Sequence, residues 1–195
     1  MVTPGHSTIV LIQNGLNIAN QLIATFPANV VLSCVSLCGA YEPEPGRIIH
    51  NDSDKLLVGA FKHPDLGASI LEVFISLYQG SGKVTTEYDD DVDRRRWRKL
   101  LYNSVYNPIS ALTNLDTSRL RASSVVSVDS AHSLIHGLIR PAMKEIQATA
   151  LATSGVILED AVIDKVMDAD PVDGFIMPSM QQDTHKGCLI ECGRF

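Results

Sequence analysis

The 195 residues include 22 acidic and 16 basic side chains, giving a formal net charge of −6, and 45% of them are hydrophobic. This composition is typical of a globular protein with one large or two small domains, and it disfavours both a disordered chain and a nucleic-acid binder, which usually carries a basic surplus. The sequence contains no apolar run of the roughly 18 residues that a membrane-spanning helix needs. Because Met1–Ser7 also lack the basic start of a signal peptide, we expect a cytoplasmic protein.

Strand and helix patterns alternate along the first half of the chain. Short β-branched or apolar runs predict strands at residues 8–12, 30–37, 47–50, 55–61 and 84–88. Amphipathic spacing predicts helices at residues 17–25 and 66–79. The proline-rich segment 42–46 is predicted to be a loop, and residues 51–54 a turn. This alternation favours an α/β fold with a partial parallel sheet.

The pattern becomes helical after the acidic run at residues 89–91. Helices are predicted at residues 93–112, 125–155, 159–168 and 178–186, the second of them kinked at Pro141 and the last ended by Gly187. We therefore place a domain boundary at this run, with an α/β domain at residues 1–91 and a helical domain at residues 92–195.

The sequence contains no Gly-x-Gly-x-x-Gly phosphate loop. Gly80-Ser81-Gly82-Lys83 is a superficial match, but it precedes a strand, whereas a phosphate loop follows a strand and opens a helix. No metal site is predicted either. Cys34/Cys38 and Cys188/Cys192 lack a standard zinc spacing, and the helical pair His132 and His136 has no evident third ligand.

A narrow polar stripe runs along the helix predicted at residues 93–112. On a helical wheel, Lys99, Asn103, Asn107 and Ser110 lie opposite a broad apolar face formed by Trp97, Leu100, Leu101, Val105 and Leu112. The simplest interpretation is a solvent-exposed face. Two asparagines four residues apart, followed by a helix-kinking Pro108, are nevertheless costly in a helix, and costly local choices favour a functional site.

A second polar cluster begins the helix predicted at residues 178–186. Ser179 and Asp183 stand one turn apart after Pro178, and Glu191 follows the helix. The start of a capped helix, with the proline in its first turn, explains this cluster at least as well as a binding site does.

Taken in order, these motifs carry a resemblance to a known family. Gln13-Asn14-Gly15, Trp97-Arg98-Lys99-Leu100 with Asn103 and Asn107-Pro108, and Ser179-Met180-x-Gln182-Asp183 with Glu191 resemble ketopantoate reductase (2-dehydropantoate 2-reductase). The segment 45–50 and the strand that contains Gly59 also resemble the family's middle region. The similarity extends from about Thr8 to Glu191, nearly the whole chain.

The resemblance implies a fold and a reaction. The fold would be a partial Rossmann-type parallel sheet in the remainder of a nucleotide-binding domain (1–91), followed by an all-helical substrate domain (92–195) like the C-terminal domain of 6-phosphogluconate dehydrogenase. The reaction would be the NADPH-dependent reduction of 2-dehydropantoate to pantoate, in pantothenate biosynthesis.

The resemblance also implies roles for individual residues. Lys99 corresponds to the catalytic proton donor, Asn103 and Asn107 to the asparagines that bind the substrate, and Ser179 to the serine that holds the substrate carboxylate. Asn14 corresponds to the asparagine between cofactor and substrate, and Glu191 to the acidic residue near the nicotinamide.

The sequence departs from the family at both ends. The roughly 80 residues expected before Thr8, with the glycine-rich loop, are absent, and the chain stops four residues after Glu191. We therefore expect weak or no NADPH binding by this chain alone, and association into a homo-oligomer through exposed sheet edges. The alternatives are a non-catalytic relic that serves as a dimerisation or interaction module, and a reductase of another 2-keto acid.

Overall fold

The computed structural model describes residues 2–50, 52–62, 64–125 and 133–190. The chain divides into two compact units, Met1–Arg95 and Arg96–Phe195, and the division falls within a helix. Within the described part of the chain, no helix combines the length and the hydropathy needed to cross a lipid bilayer.

The first unit consists of a mixed sheet, two helices and a separate hairpin. Its elements in chain order are β1 (Ile9–Leu11), α1 (Asn20–Thr25), β2 (Val31–Ser36), β3 (Ala40–Glu44), β4 (Arg47–His50), β5 (Asp54–Lys62), α2 (Pro64–Tyr78) and β6 (Val84–Tyr88). A short 3₁₀ turn, Gln79–Ser81, follows α2. The Gly80–Lys83 segment is therefore a turn before a strand, as the sequence predicts.

The sheet has the strand order β1-β2-β5-β6 and is mostly parallel. The pairs β1/β2 and β5/β6 are parallel, and each is joined by a connection that contains a helix. The pair β2/β5 is antiparallel, so the partial parallel sheet that the sequence predicts contains one antiparallel pair. The connection between β2 and β5 contains only the hairpin and no crossover helix, so β5 returns in the opposite direction.

The hairpin is formed by β3 and β4, which pair with each other outside the main sheet. The prediction of a loop at residues 42–46 was wrong at Glu42, Pro43 and Glu44, which belong to β3. A two-stranded ribbon has only edge strands, and these tolerate a proline because half of their N–H groups face away from the partner. Gly46, with φ +81°, makes the turn.

The strand β2 is buried on both faces, as its unbroken apolar run predicts. Leu32 and Cys34 pack with Leu56, Val58 and Leu71, the last contributed by α2. The alternate residue Val31 packs on the opposite face with Leu11 and Ala19, at the start of α1. Each face of the sheet therefore has its own small core.

Every regular element that the structure describes from Val92 onward is helical, which confirms the predicted change from alternating strands and helices to helices alone. The elements are α3 (Val92–Asn103), α4 (Tyr106–Thr113), α5 (Thr117–Val125), a π-helical stretch (Ile135–Ile139), α6 (Arg140–Ser154), α7 (Asp160–Met167) and α8 (Ser179–His185). The helix α5 was not predicted, and the first residues of the helix expected at 125–155 lie outside the described residues, as does His132.

The helix predicted at residues 93–112 is in fact two helices. α3 ends at Asn103, where Ser104 turns its hydroxyl back to the Leu100 carbonyl (2.6 Å), and α4 begins at Tyr106. Pro108 is therefore the third residue of a new helix, where its missing N–H has no helical partner to lose. The helix does not kink at Pro108 itself. It breaks four residues earlier, at Ser104, whose carbonyl the proline cannot bind because it has no N–H.

Candidate functional site

The helix α3 carries two of the predicted site residues on one face. Lys99 and Asn103 are one turn apart. Lys99 is half-buried, and the Asn103 side chain is 9% exposed. The helix therefore presents an ammonium group and an amide side by side, neither of them on a fully solvated surface.

The polar residues of α4 lie on its buried face. Asn107 is 3% exposed and Ser110 is completely buried, whereas Leu112 is 86% exposed. The sequence placed Leu112 on the apolar face of one continuous helix, which is wrong, because the break after Asn103 resets the helical phase. The interpretation of Asn107 and Ser110 as a solvent-exposed stripe is also excluded.

A hydrogen bond joins two residues that were predicted to bind the same ligand. The Nδ2 atom of Asn107 in α4 donates to the Oγ atom of Ser179 at the start of α8, over 3.2 Å and across 72 positions of sequence. The two helices pack directly against each other. Asn107 and Ser179 therefore converge although nothing local in the sequence connects them.

The contact between α4 and α8 is unusually polar along its length. We call it the polar seam; its residues are Asn107, Ser110, Asn114, Ser179 and Gln181. Asn114 ends α4 in the left-handed conformation, with φ 57°, and its Oδ1 accepts hydrogen bonds from Gln181 Nε2 (3.4 Å) and from the His185 ring. The seam therefore has a hydrogen-bonded contact at each end, one at Ser179 and one at Asn114.

Three buried oxygens of the seam have no hydrogen-bond partner among the described residues. They are Asn107 Oδ1, Ser110 Oγ and Gln181 Oε1. All three residues are more than nine-tenths buried: Asn107 is 3% exposed, Gln181 is 2% exposed, and Ser110 is completely buried. An unpaired buried polar group costs about 1–3 kcal/mol, so such a cluster is typical of a ligand site.

The loop that precedes Ser179 is fixed by several hydrogen bonds to α5. Arg121 binds the Asp170 carbonyl (2.8 Å) and the Asp168 carboxylate (3.0 Å). The Ser118 hydroxyl accepts from the backbone of Phe175 (2.8 Å), and Thr117 N–H donates to the Ile176 carbonyl (3.1 Å). These bonds at both ends of the loop define where the chain enters α8.

Two tyrosines lie between this loop and the α3–α4 break. Tyr102 donates to Asp170 Oδ2 (2.7 Å), and its ring lies 5.1 Å from that of Tyr106. Burial, followed by the negative charge of Asp170, raises the pKa of Tyr102 above its usual range. Burial likewise raises the pKa of Tyr106 to about 12, although Arg121 opposes the shift. Both phenols are therefore neutral at physiological pH.

The remaining predicted residues are placed separately. Asn14 lies in the first unit, half-buried in the turn after β1 and so at the carboxyl end of a parallel strand. The adjoining Gly15, with φ 103°, and Asn17, with φ 56°, make this turn tight. Glu191 lies outside the described residues. Among the described residues, no cluster of three or more His, Cys, Asp or Glu side chains could hold a metal ion.

Sequence reasoning missed Gln181 and Asn114. Gln181 occupied the variable position of the Ser179-Met180-x-Gln182-Asp183 motif, and Asn114 lies just beyond the helix predicted at residues 93–112. A weak signal was available for Gln181: it neighbours Met180, the large apolar residue of a short helix that has to bury one side. Its unpaired oxygen, in contrast, depends on a partner helix that is far away in sequence.

Two family models match the chain. The model described as "Ketopantoate reductase PanE/ApbA C terminal" matches residues 91–193, and the model described as "Ketopantoate reductase PanE/ApbA" matches residues 1–63. The second match lies within the first unit, and the first match covers nearly all of the second unit.

Individual proteins are similar over nearly the whole chain. The uncharacterized protein YDL144C of Saccharomyces cerevisiae is 35% identical over 94% of this chain and 51% of its own length. A 2-dehydropantoate 2-reductase of Nostoc is 23% identical over 86% of this chain and 50% of its own length. The chain therefore spans about half the length of these curated relatives.

The fold also resembles a solved enzyme structure. The crystal structure of 2-dehydropantoate 2-reductase from Geobacter metallireducens has a TM-score of 0.81 and 25% identity, over 97% of this chain and 60% of that one. The mixed sheet followed by helices is thus the architecture of this fold, as the sequence resemblance implies.

Proposed function

Since this chain belongs to the ketopantoate reductase family, we propose that it carries the substrate-binding and proton-donating residues of a reductase that converts 2-dehydropantoate to pantoate with NADPH. The proposal assigns Asn103, Asn107 and Ser179 to the substrate, and Lys99 to the proton transfer.

The hydrogen bond between Asn107 and Ser179 is the observation that carries the proposal. The resemblance implies that both residues hold the same small molecule. They belong to different helices, and Asn107 Nδ2 lies 3.2 Å from Ser179 Oγ. Asn107 is buried and keeps one oxygen unpaired, whereas Ser179 is exposed. A buried amide beside an accessible hydroxyl supports the binding of a small polar substrate at the end of the seam.

The assigned side chains suit the chemistry of a 2-oxo acid. The Ser179 hydroxyl can donate a hydrogen bond to the substrate carboxylate. The Lys99 ammonium can donate a proton to the carbonyl oxygen as negative charge develops there, and it stabilises that charge before the transfer. Asn103, one turn further along α3, orients the substrate against Lys99.

NADPH would supply the hydride when bound, but the residues that the structure describes do not fit its diphosphate. In this class of fold the diphosphate lies on a glycine-rich turn at the start of a helix. The connection between β1 and α1 contains a single glycine, Gly15, and α1 has only six residues. We therefore assign no residue of the chain to the diphosphate, and Asn14 alone, at the end of β1, to the nicotinamide side.

Reductase activity tests the proposal directly. The chain is extended at its N-terminus with the glycine-loop segment of a 2-dehydropantoate 2-reductase, and NADPH oxidation is followed with 2-dehydropantoate. We expect activity in the extended chain and a loss of about 100-fold or more in kcat for Lys99→Ala, the usual scale of general acid catalysis.

A matched control is Lys144→Ala, which also removes a lysine, here one that binds Asp160 in a surface ion pair. It should retain kcat. An extended chain that folds, binds NADPH and still does not reduce 2-dehydropantoate would contradict the proposal. Reduction of a different 2-oxo acid in its place would favour another substrate, and complete inactivity would favour a non-catalytic interaction module.

A further inference from the structure

Cys38 and His50 form a thiol–imidazole pair in the first unit, and neither residue is among those assigned to the substrate. The Cys38 Sγ atom lies 3.4 Å from the His50 Nε2 atom, which is hydrogen-bonding distance for sulfur. Both residues are exposed, so a reagent in solution can reach the thiol. Cys38 follows the end of β2 by two residues and His50 is the last residue of β4, so the pair links the sheet to the hairpin.

Backbone hydrogen bonds hold the chain on both sides of the thiol. Leu37, just before Cys38, donates its N–H to the Lys55 carbonyl (2.8 Å), and Gly39, just after it, accepts from the Asp52 N–H (3.2 Å). The imidazole likewise belongs to a strand that is paired within the hairpin. The thiol and the imidazole are therefore brought together by two fixed backbone segments.

This pair of groups is suited to thiol chemistry. A thiol attacks as its thiolate, and an adjacent imidazole accepts the thiol proton and, once charged, stabilises the thiolate. Two ligands are too few for a tetrahedral zinc ion, and among the described residues no third histidine, cysteine or carboxylate completes such a group. The pair is therefore a nucleophile with its base.

Two titratable groups from neighbouring elements lie near the pair. The Tyr78 hydroxyl of α2 donates to the Asp54 carboxylate of β5 (3.0 Å). Burial raises the pKa of Tyr78, as do its hydrogen bond to Asp54 and the negative charges of Asp54 and Cys38, so the phenol stays neutral at physiological pH. The Asp54 charge disfavours the thiolate, but it favours the imidazolium that forms with it. Proton transfer within the pair therefore depends mainly on the direct contact.

We propose that Cys38 is a modification site, at which thiol–disulfide exchange with a small disulfide forms a mixed disulfide and His50 serves as the base. The Cys38 proton passes to His50 Nε2, and the thiolate sulfur attacks one sulfur of the disulfide. A new S–S bond forms as the reagent's own S–S bond breaks, and the departing thiolate takes the proton from the imidazolium. Cys38 is thus oxidised, and one half of the reagent is released as a thiol.

The inference does not depend on the proposed function. Cys34, four residues before Cys38, is completely buried, so it does not displace the attached group, and the mixed disulfide is the product.

A second thiol of the same chain provides the reference rate. Cys188 is also exposed, but its thiol has no hydrogen-bond partner among the described residues. Cys192 lies outside those residues and is replaced in both test chains. One chain carries Cys188→Ser and Cys192→Ser and keeps Cys38, and the other carries Cys38→Ser and Cys192→Ser and keeps Cys188.

Each chain is treated at pH 7 with an excess of 2-hydroxyethyl disulfide, an uncharged reagent whose approach the nearby carboxylates do not affect. Mass spectrometry of the intact chain follows the addition. We expect the chain that keeps Cys38 to react about 5-fold faster or more, because an ordinary thiol is only a few per cent thiolate at this pH. Equal rates in the two chains would overturn the proposal.

Substitution of the base identifies the cause of the faster rate. In the chain that keeps Cys38, His50→Gln should lower the rate to that of Cys188, and His50→Asn provides the same test if His50→Gln does not fold. The matched control is His6→Gln, because His6 is an exposed histidine of the same unit; it should keep the rate. The effect of His50→Gln should shrink at pH 9, where a thiol ionises unaided. A fast reaction that survives both His50 substitutions would also overturn the proposal, because exposure of the thiol alone would then explain it.

Discussion

Tyr102 donates a hydrogen bond to Asp170, 68 residues further along the chain, and thereby ties the helix that carries Lys99 and Asn103 to the loop that leads into Ser179. The Tyr106 ring lies tilted against that of Tyr102, but its own hydroxyl is buried with no partner among the described residues. Two neighbouring phenols of the same unit thus have opposite hydrogen-bonding states.

This contrast predicts opposite effects of the same substitution. Tyr102→Phe should lower the free energy of unfolding by about 1.5–3 kcal/mol, since a hydrogen bond to a carboxylate is lost. Tyr106→Phe should leave it unchanged or raise it slightly, because only an unpaired hydroxyl is removed. Urea titrations at pH 7 compare the two, and equal losses for both variants would contradict the hydrogen-bond assignment.

The raised pKa of Tyr106 predicts a loss of stability in alkali. A tyrosine ionises near pH 10 in the unfolded chain, and Tyr106 near 12 in the folded one. Below pH 10 both states keep the proton and stability is unaffected. Between pH 10 and 12 only the unfolded state releases it, so the free energy of unfolding should fall, by up to about 2–3 kcal/mol from this residue.

The same pair of variants tests this alkaline effect. The urea midpoint is compared between pH 9 and pH 11.5 for the parent chain and for Tyr106→Phe, which should show a clearly smaller decrease. Tyr102 ionises still higher and contributes in the same direction. An identical decrease in the parent and in Tyr106→Phe would mean that the Tyr106 phenol ionises normally in the folded state.

The close packing around Gly59 leaves no room for a side chain at this position of the first unit. A Cβ atom at this position would lie 2.6 Å from the Asp89 carbonyl oxygen and 2.9 Å from the Val92 Cβ. Gly59→Ala should therefore destabilise the chain by about 1–3 kcal/mol, as overpacking usually does. Gly80→Ala is the control, because nothing lies within 4 Å of its added Cβ. Thermal unfolding compares the two, and a neutral Gly59→Ala would show that β5 and the segment after β6 can separate without cost.

The connection between β1 and α1 predicts poor nucleotide binding by the 195 residues alone. With Gly15 as its only glycine, this connection cannot wrap a diphosphate closely. We expect no saturable NADPH binding below millimolar concentration in fluorescence titrations of the chain, and micromolar binding after a glycine-loop segment is added. Tight binding by the unextended chain would show that other residues hold the phosphates.

Local signals predicted the elements whose pattern is complete within a few residues. β6 has the predicted bounds, and β2 and α7 differ from prediction by one residue at each end. In each case one apolar face or one β-branched run decides the structure by itself. The order of motifs also pointed to Asn107 and Ser179, which the structure brings together.

The misses arose where partners distant in sequence decide the outcome. β5 pairs antiparallel with β2 because of the connection between them, which no pattern within either strand reveals. Pro108 cannot donate to the Ser104 carbonyl, and the sequence is compatible both with one kinked helix and with the two helices observed. Gln181 is buried because α4 packs on α8, so the residues next to it in sequence gave only a weak indication of its burial.

The break between α3 and α4 also frees the angular relation of the site residues from the helical repeat. In an unbroken helix, Asn103 and Asn107 would be locked about 40° apart around one axis, and any inserted or deleted residue would rotate them by about 100°. With two axes, the two asparagines are oriented independently, Asn103 by the packing of α3 and Asn107 by the packing of α4 on α8. The Ser104–Val105 junction is therefore a point at which the angle between Lys99 and the polar seam can change without altering either helix.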